Sequence, residues 1–213
     1  METNELIASL ASDTRPVTSG FALGRLIIAL IAGGAVVVAL IAIFLGDPLL
    51  GIRQTDVMAL GVKTGFATSL LLLSLSSLFQ SGRPGHDPRT AMAWLPVPVV
   101  VLALVASIAL ASAPPGARHA MIFGTMWQTC LIGVILLSVP VFGLLVWAFR
   151  SLAPTDLKRT GMLAGLASGS AAALVYALHC PEMSPAFLLV WYGLGIAIAG
   201  VAGRMAGPVL LRW

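Results

Sequence analysis

Charge is scarce in this sequence. Only 9% of the 213 residues are Asp, Glu, Lys or Arg, while 59% are apolar and the mean hydropathy is +1.01. Such a composition excludes a soluble catalytic domain of ordinary make-up and points to lipid as the solvent. Cysteine is nearly absent too. The two present, Cys130 and Cys180, are too few for a disulfide framework and too far apart for a CxxC redox or zinc pair. The net charge of +4 has the sign that nucleic acid attracts, but the basic residues are scattered singly, with no run and no aromatic-interleaved patch, so direct nucleic-acid binding is not expected. No Lys or Arg precedes Arg15, and Glu2 and Glu5 open the chain, which argues against a cleaved secretory signal.

What is present is a series of long apolar runs. About 20 helical residues cross a bilayer core of about 30 Å, and six stretches qualify: 26–45, 57–79, 93–111, 122–149, 160–179 and 186–205. Turn-forming residues separate them, as in Gly46-Asp47-Pro48, Arg83-Pro84-Gly85, Pro114-Pro115-Gly116, Pro154-Thr155-Asp156 and Cys180-Pro181-Glu182. The expected fold is therefore all-α: a polytopic membrane protein with six transmembrane helices in a compact bundle. Residues 1–25 form a cytoplasmic N-terminal helix and linker, 26–206 the membrane domain and 207–213 a cytoplasmic tail. Orientation follows from the positive residues of the short loops. Arg15, Arg25, Arg83, Arg89, Arg150, Lys158, Arg159, Arg204 and Arg212 fall on the side of the N-terminus, and only Arg53 and Arg118 fall opposite. Both termini are thus expected in the cytoplasm of a bacterial inner membrane.

The twelfth basic residue, Lys63, sits inside the second span, and its aliphatic stem is expected to snorkel the ammonium to the nearby interface. No acidic residue lies in any span, which weighs against proton- or ion-coupled transport. Gly161, Gly165 and Gly169, and later Gly193, Gly195, Gly200 and Gly203, allow close helix approach in lipid. Pro96, Pro98 and Pro140 are expected to bend the third and fourth spans. Ahead of the first span, residues 1–16 read as a short helix capped by Thr3 or Asn4 and ended by Arg15-Pro16. Leu6, Ile7 and Leu10 form its small apolar face. So short a helix is marginal alone in water, and Glu2, Glu5 and Asp13 would be repelled by anionic lipid, so docking into a partner's groove gains weight.

On the outer side, Cys180 stands in His179-Cys180-Pro181-Glu182 at the end of the fifth span, and Cys130 in the outer part of the fourth. If the fourth helix begins at Met121, Cys130 lies about 13 Å down; a start nearer Trp127 brings the two thiols level. Two thiols with His179, and His119 from the preceding loop, suit a divalent or heavy metal ion. A disulfide is the other available chemistry in an oxidising compartment, and two unconnected, inert cysteines are the third reading.

Several of these segments together carry a resemblance. Glu5-Leu6-Ile7-Ala8-Ser9-Leu10-Ala11 with Arg15-Pro16-Val17, the six-span layout, Ser151-Leu152-Ala153-Pro154-Thr155, and above all Tyr176 to Pro185 with its His-Cys-Pro-Glu block, then Val190-Trp191-Tyr192 and Leu211-Arg212-Trp213, follow in order. In these features the chain resembles the NrsF-like membrane anti-sigma factors of proteobacteria. The resemblance implies a non-enzymatic regulator that holds an extracytoplasmic-function sigma factor at the membrane. It implies release on a periplasmic metal or oxidant signal, with Cys130 and Cys180 as sensing residues; His179, Glu182 and His119 are further candidates from the residues of the outer face. Two other readings stand beside it: a small metal transporter or channel, and a membrane thiol oxidoreductase. The first lacks a polar path and a discontinuous helix pair; the second needs a closely spaced dithiol and a quinone pocket.

Overall fold

The computed structural model describes residues 19–81, 89–150 and 156–212, together with Glu5 and Pro154. All elements among these residues are helical: α1 (Ser19–Phe44), α2 (Leu50–Gln54), α3 (Val57–Ser81), α4 (Arg89–Met92), α5 (Pro96–Ser112), α6 (Arg118–Phe123), α7 (Trp127–Phe149), α8 (Leu157–Ala177) and α9 (Pro185–Leu210). Six helical stretches are long and apolar enough to cross a membrane. Their outward sides carry Ile31, Ile43, Leu72, Ile108, Val201 and Met205 in exposed positions. In water such a surface would aggregate; against acyl chains it is matched to its solvent.

α8 is the most enclosed of the six and α5 the least. Small residues put α8 at the centre. A Cβ on Gly161 would collide with Gly203 O and Gly207 Cα, one on Gly165 with Ala199 O, and one on Gly207 with Leu157 O, so only glycine permits this backbone approach between α8 and α9. α3 and α7 also pack on α8, α7 reaches α9 as well, and α1 packs mainly on α7. Gly195 meets Val134 of α7, and Gly133 of α7 meets the Tyr176 ring.

Several boundaries differ from those expected. α1 begins at Ser19, two turns into the expected linker, and α9 runs to Leu210, through most of the expected tail. The fourth stretch is not one helix from 122: α6 ends at Gly124, whose φ of +56° breaks the ladder, and α7 restarts at Trp127. Pro96 and Pro98 do not lie in the interior of the third span's helix, where the bend is expected. They occupy the first turn of α5, where a missing amide proton costs nothing. Pro140 does lie within α7, and Pro208 within α9. A π-helical turn at Leu188–Tyr192 went unanticipated; it is a wide turn inside α9 that places Trp191 and Tyr192 on the bundle side.

Candidate functional site

The two cysteines meet. Because α7 starts at Trp127, Cys130 sits in its first turn and comes level with the segment 178–184 that follows α8. Their sulfurs are 3.3 Å apart, both thiols are free, and both residues are buried. That separation is well beyond a disulfide bond of about 2.05 Å and within reach of forming one. Tyr176, in the last turn of α8, directs its hydroxyl at Cys130 Sγ (3.6 Å).

Each polar group of the 179–182 segment is fastened to a different element. His179 Nδ1 lies 2.8 Å from Asp47 O in the α1–α2 connector, and Asp47 is itself paired with Arg53. Lys63 Nζ, on α3, donates to Cys180 O at 2.8 Å. Glu182 Oε1 accepts from both the backbone N–H and the Oγ1 of Thr125, at 2.7 and 2.8 Å. On the near side α2 covers the segment: Ile52 N donates to Leu178 O, and Gly51 lies so close that a Cβ would stand 2.8 Å from the carbonyl oxygens of Leu178 and Cys180. Gly124 is equally constrained, since its Cβ would enter the Glu182 carboxylate at 2.7 Å.

Lys63 therefore does not snorkel. Its side chain is 1% exposed and turns inward, because a carbonyl oxygen at the end of α8 offers the buried amine a partner. The Cys180 thiol is held below its ordinary value. Its hydrogen bond with Cys130 is the largest cause, joined by the Glu182 backbone, Tyr192 and the Lys63 charge, and together these outweigh burial, which acts in the opposite sense. Tyr192 Oη makes no bond of standard geometry, yet it stands close enough to favour the thiolate.

The remaining candidates separate. His119 is exposed and stacked on Phe123 at 4.6 Å, in an aromatic row that continues to Trp127 and Trp191 and is tied by Trp191 Nε1 to Ile122 O. His179 and Glu182 flank the thiols in sequence, but their side chains are committed to Asp47 and Thr125. Among the described residues no three His, Cys, Asp or Glu side chains converge as a metal-binding group. Two thiols side by side suit a disulfide or a two-coordinate soft ion. Leu6, Ile7 and Leu10 lie outside the described residues; Glu5 is helical and exposed. The sequence reading assigned no role to Tyr176, Thr125 or Asp47. Tyr176 stood inside the most specific block, four residues before Cys180, and that spacing was the available signal.

Six helices long and apolar enough to cross a membrane, with two free thiols buried side by side at one end, define an all-helical protein of membrane-spanning composition. The chain belongs to the NrsF family, described as negative regulators of sigma F, whose family model matches residues 10–213. It is 36% identical to the probable anti-sigma-F factor NrsF of Azospira oryzae and 34% identical to the anti-sigma-F factor NrsF of Caulobacter vibrioides, in each case over the whole of both chains. No solved structure matches it.

Proposed function

We propose that this protein is an integral-membrane anti-sigma factor of the bacterial inner membrane, with both termini in the cytoplasm. It sequesters an extracytoplasmic-function sigma factor of the sigma F type and releases it when a periplasmic heavy-metal or oxidant signal acts on Cys130 and Cys180. Its role is regulatory and not enzymatic. The observation that carries this reading is the pair of buried sulfurs 3.3 Å apart, set in a bundle from a family of negative regulators of sigma F.

The partner contact is assigned to the N-terminal segment. Leu6, Ile7 and Leu10 would dock in an apolar groove of the sigma factor and cover its polymerase-binding surface. Taking the partner from 99% bound to 99% free shifts the binding equilibrium by a factor of about 10⁴, which requires about 5.5 kcal/mol. A covalent bond or a thiolate–metal bond supplies energy on that scale, whereas titration of one histidine does not.

Pull-down with the intact protein and with Leu6→Asp/Leu10→Asp tests the partner. Recovery of a sigma factor by the intact protein alone is expected. Its absence, together with metal flux that depends on Cys130, would instead favour transport. Cys130→Ser and Cys180→Ser are expected to bind the sigma factor and to ignore the stress; normal induction in both would remove the thiols from the mechanism.

A further inference from the structure

We propose that Lys63 is the residue that couples the thiol pair to α3, so that a change at Cys180 is carried along this helix to the opposite end of the bundle. The inference rests on the thiol pair being the sensor and adds a route by which its state is read. Lys63 Nζ is buried and bonded to Cys180 O, and among the described residues it pairs with no carboxylate. A buried amine that loses its acceptor is left with a desolvated, unsatisfied group. Nζ must therefore travel with the Cys180 carbonyl.

The carbonyl has reason to move. In oxidation the two Sγ–H bonds break, one S–S bond forms, and two protons and two electrons pass to the oxidant. The sulfurs then close from 3.3 Å to about 2.05 Å. Both amides are bonded, Cys130 N to Met126 O and Cys180 N to Tyr176 O, but Cys130 stands inside α7 while Cys180 lies past the end of α8, in the irregular segment before α9. More of the displacement thus falls on Cys180. Close-packed interiors answer such shifts by moving elements as units.

α3 is the element that Lys63 belongs to. Its 25 residues run without a break from Val57 to Ser81, a length of about 37 Å. At its far end Thr160 Oγ1, in the first turn of α8, donates to Ser81 Oγ at 3.4 Å. Thr160 is fully buried, and the same turn is capped by Asp156, which accepts from Arg159 N. Lys63 and Ser81 thus fix the two ends of one rod, with the thiol pair at one and the α3–α8 junction at the other.

The full chain in phospholipid nanodiscs tests this with diamide as oxidant, its azo bond taking up both hydrogens. Disulfide formation is read by maleimide trapping, and amide hydrogen exchange is read at residues 78–81 and 157–160. In the wild type, oxidation is expected to change exchange at both stretches by about tenfold. In Lys63→Met, which keeps the length and apolar stem, the disulfide is expected to form to the same extent while exchange at the far end stays as in the reduced protein. Lys63→Arg, which keeps a donor, is expected to restore part of the change. An oxidised wild type with no change at 78–81 and 157–160 would overturn the coupling, as would a Lys63→Met protein that responds fully or fails to form the disulfide. Sigma-factor release is scored separately: far-end changes without release would leave the coupling standing and remove the proposed function.

Discussion

A carboxylate oxygen that accepts two hydrogen bonds from one residue fixes both its position and its orientation, and Glu182 does this to Thr125. The contact joins the segment bearing Cys180 to the start of the helix bearing Cys130, and Gly124 must lack a side chain for the carboxylate to fit. Thr125 is exposed, so water can replace the carboxylate and the loss of stability in Glu182→Ala should be small, about 1 kcal/mol. The registration of the sulfurs should suffer more. Disulfide formation with diamide is expected to slow by about tenfold, with helicity unchanged by circular dichroism; a wild-type rate would show that the clamp does not align the thiols. The His-Cys-Pro-Glu block was legible in the sequence because four chemically capable residues stand together. Its partners were not, because most are backbone atoms: Asp47 O for His179, Thr125 N for Glu182, and Cys180's own carbonyl for Lys63. Residue types do not reveal main-chain partners, which is why Lys63 read as an interfacial cation.

Among the elements, the α8–α9 seam carries the closest backbone approach in the bundle. Gly161 and Gly165 face Gly203, Gly207 and Ala199 O with no room for a methyl group, whereas Gly193 and Gly143 have open space where a Cβ would stand. Lipid offers helices no hydrophobic drive to associate, so stability at this seam comes from contact itself. Gly165→Leu should separate α8 from α9 and destabilise the detergent-solubilised protein by 1–3 kcal/mol or more, lowering the thermal midpoint, while Gly193→Ala should leave it unmoved. Equal midpoints for both variants would show that the seam tolerates repacking. Glycine spacing made a close approach legible, but not which helix would meet it, since periodicity describes one face and says nothing of its partner. The prolines misled for a related reason. Pro96 and Pro98 bend a helix only if it has already begun, and here it begins with them. The break at Gly124 was hidden by apolar residues on both sides, where hydropathy runs on although the backbone does not.

At the scale of the whole molecule, six spanning stretches fix a parity. Ser19 and Leu210 stand at one end of the bundle, and the segment from Leu178 to Ser184 at the other. Which end faces the cytoplasm depends on the nine basic residues on the first side against two on the second, because positive loops resist translocation. In the proposed orientation the thiols belong to the oxidising compartment and the sigma-factor contact to the reducing one, a separation the proposed mechanism cannot do without. Single-cysteine proteins made on a Cys130→Ser/Cys180→Ser background decide the orientation. Met183→Cys, at an exposed position beside the thiol site, should react with a membrane-impermeant maleimide in spheroplasts. Glu5→Cys, also exposed, should react only after the membrane is permeabilised. Labelling of both in intact spheroplasts would put the partner contact outside, away from any sigma factor, and labelling of neither until permeabilisation would put the sulfurs inside, away from a stress outside the membrane; either result would overturn the proposed mechanism.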